Sequence, residues 1–180
     1  MNQVSSALDQ TAKLTMTVDT TMLESTETNS EPFILLELAG TTYGVRSRFV
    51  QQMEMIEKIT SVPNAAPSVE GVVLARGQVI PAVNLRVRFG FERIPFDLRS
   101  RLVVVKNGKR TIGLIVDTAR EFINLPLGAI EPPPDAIRGL SGKYLEGIAT
   151  IDGRIILVLN LDEVIDLDTQ INEDVAGAIA

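Results

Sequence analysis

The sequence predicts a mainly β chain made of two similar halves, with short strands, tight turns and little helix. Two observations carry that expectation. Short apolar runs are separated by Gly-containing turns at the spacing of hairpins. An internal repeat also recurs at one fixed offset. Val69-Glu70-Gly71-Val72 matches Leu145-Glu146-Gly147-Ile148, and the segment 77–85 matches 153–161, both at an offset of 76 residues without a gap. Tyr43-Gly44-Val45 resembles Ile112-Gly113-Leu114 at a slightly shorter offset. Each half holds roughly 65 residues and is marginal alone, so the halves must share a core or pack closely. Small barrels or a sandwich both satisfy the pattern.

Residues 1–31 are rich in Thr and Ser and net acidic, and read as a flexible N-terminal extension. From Pro32 the texture changes. Phe33 to Leu38, Gly40, then Thr42 to Val45 reads as strand, turn, strand. Val50, Met53 and Ile56 recur at roughly helical spacing and predict a short helix over 47–57. Gly77 to Val83 predicts another strand, and Pro81 within it points to an edge position or a bulge, because proline cannot donate to the ladder. Leu102 to Val105, Asn107-Gly108 and Thr111 to Val116 predict a hairpin with Asn-Gly at the two central turn positions. Pro132-Pro133-Pro134 marks a loop. Ile148 to Ile151, Asp152-Gly153 and Arg154 to Leu159 predict a second hairpin, and Asp162 to Leu167 reads as a short helix or a strand end.

Composition narrows the function. The 180 residues include neither Cys nor His. Triad chemistry, Cys-His chemistry, phosphohistidine transfer and zinc–thiolate sites therefore have no residues to use. Gly142-Lys143 lacks the upstream glycine and the following Ser or Thr of a phosphate-binding loop. No cofactor or metal site is expected. No stretch reaches the roughly 18 apolar residues of a bilayer span, and the N-terminus is not a secretory leader, so a cytoplasmic location is expected. The net charge of −6 argues against binding nucleic acid over the whole surface. The charge is uneven, however. Residues 76–110 carry nine bases against Glu92 and Asp97, whereas the chain from Asp162 onward carries six carboxylates and no base.

An ordered set of segments resembles the CheW-like coupling domains of chemotaxis: 33–38, Tyr43-Gly44-Val45, Ile59 to Pro63, 71–81, Asn84-Leu85-Arg86, Val103 to Val105, 113–117, Ile130 to Pro133 and Tyr144 to Gly147. The likeness covers about residues 32–168. It implies two intertwined five-stranded barrels of SH3-like type sharing a hydrophobic core, with short helices. It divides the chain into the extension 1–31, a domain 32–168 and an acidic tail 169–180. The two similar subdomains would span roughly 32–98 and 99–168, with an exchange of strands between them left open. The implied function is a non-catalytic adaptor that couples chemoreceptors to a CheA-type histidine kinase. Its partners would be the tip of the receptor's cytoplasmic hairpin and the kinase's regulatory domain. Small-molecule substrates and nucleic acid are not expected, and membrane association would be indirect, through receptors.

The resemblance also points to a receptor-binding set: Val50, Gln52, Gly71, Val72, Leu74, Arg76 and Gly77. Arg76 leads it, because a guanidinium between two apolar runs can make bidentate contacts to a carboxylate. By composition alone Val50, Val72 and Leu74 fit a core better than a surface groove. Gly71 and Gly77 would serve turns that need positive φ. Two positions depart from the family pattern: Gln52 and Asn84 each stand where a carboxylate is usual. The kinase-binding residues are not identifiable from sequence. Two other readings compete. One is a small barrel that binds nucleic acid through the basic stretch 76–110, where Arg88-Phe89-Gly90-Phe91 faintly echoes an RNA-binding strand. The other is a carboxylate-dependent enzyme.

Overall fold

The structure is a computed structural model that describes residues 29–137 and 142–167. Apart from residues 29–31, the expected N-terminal extension lies outside the described residues, as does the expected acidic tail 169–180. Eleven strands are described: β1 (Ser30–Leu38), β2 (Thr41–Arg46), β3 (Val50–Met55), β4 (Val69–Ala75), β5 (Gln78–Asn84), β6 (Arg101–Asn107), β7 (Arg110–Val116), β8 (Thr118–Pro126), β9 (Ile130–Glu131), β10 (Leu145–Ile151) and β11 (Arg154–Leu159). Two short helices, α1 (Leu85–Arg88) and α2 (Leu161–Ile165), follow β5 and β11.

The strands form two small barrels of matching order. The first runs β8-β1-β2-β11-β10-β9, and the second runs β3-β6-β7-β5-β4. In each, two antiparallel hairpins meet along one parallel pair, β2 with β11 and β7 with β5. A short bridge extends each order: β9 against β10 in the first barrel, and Thr60 against Val72 of β4 in the second. Each barrel takes strands from both sides of residue 98. The chain begins in the first barrel, builds the second from β3 to β7, and returns through Asp117 into β8.

Three apolar clusters follow from this arrangement. Ile80, Ala82, Leu102, Val104 and Ile115 fill the second barrel, and Phe33, Leu35, Leu125, Ile156 and Val158 fill the first. The largest lies between them. There Leu36, Leu38 and Val45 of the first barrel pack with Val103, Val105 and Leu114 of the second, and with Leu85, Leu161 and Val164 of the helices. Alternate residues of one strand thus face two different cores, which is why β1 and β6 read as near-continuous apolar runs.

The repeat is visible in detail. Asn84 N–H donates to Ser68 O and Asn160 N–H to Tyr144 O, at the same offset. Both β4 and β10 bulge at the matching glycine, between Val69 and Gly71 and between Leu145 and Gly147. Three hairpins turn on a residue pair at positive φ: Ala39-Gly40 (50° and 78°), Arg76-Gly77 (48° and 78°) and Asp152-Gly153 (51° and 76°). This geometry matches the strand twist, and only the glycine of each pair adopts it without strain.

Three expectations need correction. The helix over 47–57 is instead a 3-10 turn at Ser47–Phe49 followed by strand β3. The helical spacing has a cause, because a register shift between Val50 and Gln52 brings Val50 and Met53 onto one face, against the shared core. Asn107 is the last residue of β6 and pairs with Arg110, so the turn is Gly108-Lys109. The Asn107 amide donates instead to Asp162 on α2. Finally, β5 is an internal strand, not an edge. Its Pro81 is tolerated because the parallel ladder to β7 starts only at Ala82.

Candidate functional site

The seven residues singled out by sequence lie on the second barrel, on β3, β4 and the turn after β4. These strands are opposite ends of the sheet order, yet the sheet curls enough for the Arg76 guanidinium to donate to the Gln51 carbonyl, 3.5 Å away. They do not contribute alike. Val72 and Leu74 point outward from β4, Leu74 with 70% of its surface exposed. Val50 is half-buried against the shared core, and Gln52 hydrogen-bonds Glu54 at 3.3 Å.

Gly71 is buried and presents no side chain. A Cβ there would lie 2.2 Å from the Thr60 carbonyl oxygen, at a φ of 148°. Its role is to let Thr60 and Val72 exchange backbone bonds of 2.8 and 2.9 Å. Gly77 fills the glycine position of the turn.

Two residues of the outward face went unnoticed in the sequence. Register pairs Leu74 with Val79, itself 64% exposed, and Val72 with Pro81. The outer surface of this hairpin is therefore an apolar strip with Arg76 at its tip. Treating Arg76-Gly77 as a two-residue turn would have given both partners, since a hairpin's register follows from its loop. Arg76 has no carboxylate partner among the described residues.

The other bases of the 76–110 stretch are mostly engaged. Arg86 binds both oxygens of Asp117 at 2.6 and 2.7 Å, and that hydrogen-bonded pair raises the guanidinium's pKa above its ordinary value. Asp117 also accepts from Ala39 N–H at 2.9 Å, so the crossing between barrels is tied to the β1–β2 turn and to α1. Arg93 pairs with Glu70, Arg99 with Asp97 and Arg110 with Asp166. Arg88 is buried, donating to the Glu163 carbonyl and stacking over Tyr144. The nucleic-acid reading of this stretch gains no support from this arrangement, in which Arg86, Arg93, Arg99 and Arg110 already pair with carboxylates and Arg88 is buried. The departure at Asn84 also acquires a reason. Its side-chain oxygen caps α1 by accepting from Arg86 and Val87 N–H, while its amide donates to Glu70 at 2.7 Å. A carboxylate at 84 would face Glu70 as a like charge.

On the first barrel, Arg46, Leu127, Ile130, Glu131, Pro132 and Glu146 line an open groove of about 350 Å³. Arg46 is held between Glu31 and Glu146. Burial works to lower the pKa of its guanidinium, and the two carboxylates outweigh that and raise it. No cluster of His, Cys, Asp or Glu among the described residues could hold a metal ion, and no helix there is long and apolar enough to cross a membrane.

Comparison with known proteins agrees with this geometry. The family model of the CheW-like domain matches residues 32–169. The chemotaxis protein CheW of Klebsiella aerogenes is 25% identical over 139 residues, covering 77% of this chain and 84% of that protein. CheW of Thermotoga maritima is 31% identical over 120 residues, 65% of this chain and 78% of its own length. The crystal structure of the scaffolding protein TtCheW from Thermoanaerobacter tengcongensis superposes with a TM-score of 0.72 at 29% identity, over 77% of this chain and 94% of that one. With its paired barrels, its ordered motifs and a match that spans most of its length, the chain belongs to the CheW-like domain family.

Proposed function

We propose that this protein is a non-catalytic scaffold of chemotaxis signalling, acting in the cytoplasm to couple chemoreceptors to a CheA-type histidine kinase. The outer face of the β4–β5 hairpin receives the tip of a receptor's cytoplasmic hairpin. Val72, Leu74, Val79 and Pro81 supply the apolar contact, and Arg76 supplies the charge. The kinase's regulatory domain is held on another surface, so that receptor state reaches the kinase through a fixed geometry. No cofactor or small-molecule substrate takes part.

The observation that carries this reading is the state of Arg76. It sits exposed at the tip of an apolar strip, at a positive φ that costs a non-glycine residue roughly 1 kcal/mol. Arg86, Arg93, Arg99 and Arg110 each pair with a carboxylate, whereas Arg76 has no carboxylate partner among the described residues. A side chain kept in that conformation with its charge uncommitted suits a partner's carboxylate or helix-end carbonyls. The test is reconstitution of the protein with receptor-containing membranes and the kinase, followed by sedimentation and kinase assay. Recruitment of kinase to the membrane fraction only when this protein is present is the expected result. Kinase that sediments equally without it would end the proposal.

A further inference from the structure

Helix α1 belongs to the second barrel, following β5 directly, yet both of its arginines reach the first. Residues two apart on a helix lie about 200° around its axis, so Arg86 and Arg88 leave α1 on opposite sides. Arg86 goes to Asp117, at the crossing into β8, and the same carboxylate accepts from Ala39 N–H in the β1–β2 turn. Arg88 goes the other way, to the end of α2, which follows β11. A single nitrogen, Nη2, donates to the Glu163 carbonyl at 2.9 Å and to the Asp166 carbonyl. The guanidinium lies over the Tyr144 ring, with its Cζ 5.2 Å from the centroid. Carbonyls at a helix end have no N–H of their own helix to accept from, and a basic side chain can supply one.

The two arginines are held on unlike terms. Arg86 has a carboxylate partner. Arg88 is only 4% exposed, and no carboxylate meets it among the described residues. Its Nε and Nη1 are buried there without a hydrogen-bond partner. A charge taken out of water and met only by neutral carbonyls and a ring recovers little of its hydration, so an apolar side chain of similar length would serve stability at least as well. The apolar core between the barrels has no comparable directionality. Leu36, Val103, Leu114 and Val164 fit one another over a range of small displacements. Directional bonds from a buried group select one arrangement out of that range. The other bonds that hold α2 to the second barrel, Asn107 to Asp162 and Arg110 to Asp166, lie in solvent, where such contacts are weak.

We propose that Arg88 is a positioning residue: it fixes α2, and through α2 the angle between the two barrels, without adding to the stability of the fold. Under the proposed function, on which this use of the angle rests, it sets the β4–β5 face against any partner surface of the first barrel.

The test uses the full chain. Its lack of cysteine lets two nitroxides be attached through Gln78→Cys on the second barrel and Thr150→Cys on the first, both exposed positions. Pulsed electron–electron resonance reads the distance between them and its spread, and urea titration reads stability. The doubly labelled chain should give one narrow distribution. Arg88→Met, of similar length and without a donor, should widen it roughly twofold, with the urea midpoint unchanged or higher. Arg88→Lys should return the narrow distribution, because one nitrogen makes both bonds and an ammonium can do the same. An unchanged width in Arg88→Met would overturn the proposal. So would a lowered midpoint, which would make Arg88 an ordinary part of the fold's stability, or a lysine variant as wide as the methionine one. Neither receptor nor kinase is present, so failure here leaves the coupling function standing, and failure of the reconstitution leaves this result standing.

Discussion

The two barrels share a strand order and differ in what they present. Positions identical in both answer to the fold. Gly71 and Gly147 each lie where a bulge brings a neighbouring carbonyl too close for a Cβ, and Asn84 and Asn160 each stand immediately before a short helix. Positions that differ answer to something else. The turn at the tip of β4–β5 is Arg76-Gly77, and its counterpart is Asp152-Gly153. The exposed pair Leu74 and Val79 corresponds to Thr150 and Ile155. A molecule with an internal repeat carries its own control: what the fold requires is required twice, and what only one barrel has marks where the barrels diverged in use.

The glycines test that division most severely. Gly71→Ala should cost about 3 kcal/mol of unfolding free energy, because it combines a 2.2 Å clash against backbone with a strained φ. Gly147→Ala should cost about 1–2 kcal/mol, since a Cβ there meets the Ile130 Cγ2 methyl at 2.5 Å and the Glu131 carbonyl oxygen at 2.8 Å, a wider approach to backbone than at Gly71 and without a left-handed φ. Urea titration of both measures the difference, and equal costs would break the argument that Gly71 is the tighter site.

The turns come next. Arg76→Glu should weaken binding of a receptor hairpin fragment by about 10- to 100-fold, the worth of one charge-assisted contact, with the midpoint of unfolding unchanged. Asp152→Lys should leave receptor binding where it was. Isothermal titration decides, and an equal loss in both variants would show a general charge effect. Arg76→Gly sharpens the point, for it should stabilise the fold by up to about 1 kcal/mol while also losing affinity.

The helix caps separate the barrels more finely. Asn84→Ala removes two cap bonds and the bond to Glu70, and should cost about 1–2 kcal/mol. Asn160→Ala should cost little, because the Asn160 side chain makes no cap bond. Thermal denaturation of the pair is the measurement.

The smallest effect lies in the loop between α1 and β6, at Asp97. Hydrogen bonding from the Arg99 side chain, then from the Arg99 and Ser100 backbone, holds the Asp97 carboxyl at about 2, against an ordinary 3.8. A carboxyl depressed on folding adds stability above its unfolded value, and that stability is lost as pH falls through the folded one. The loop should therefore loosen only as pH drops from about 4 toward 2. A carboxyl titration by NMR should show the depressed midpoint, and Arg99→Ala should return it toward 3.8.

Much of the fold was legible because hairpins announce themselves locally. Asp152-Gly153 and the alternation around it fixed one turn to the residue, and the repeat at 76 implied paired units. The misreadings share a cause. The bulge at Val50 converts a strand's period of two into a spacing of three, which imitates a helix. The bond from Asn107 to Asp162 joins residues 55 apart in sequence, and no local pattern reports it. Of the candidate site, the outward residues of β4 were visible as part of a family pattern, whereas Val79 and Pro81 required register. The pairing of Arg86 and Arg93 within the basic stretch required three dimensions, since Arg86 finds Asp117, and Arg93 finds Glu70, only after the strands have paired.

The exchange of strands has a consequence for how the protein comes into being. Tyr43 finds its parallel partner only in Leu157, so β1 and β2 leave the ribosome long before the strands that complete their barrel. The second barrel has all its remaining strands once β7 is made, and it can close while the first hairpin waits with an open edge. Such distant pairing slows folding and leaves an apolar ribbon exposed in the meantime. A nascent chain stalled after β7 should accordingly be a client for chaperones, and neither half of the gene should yield a folded product by itself.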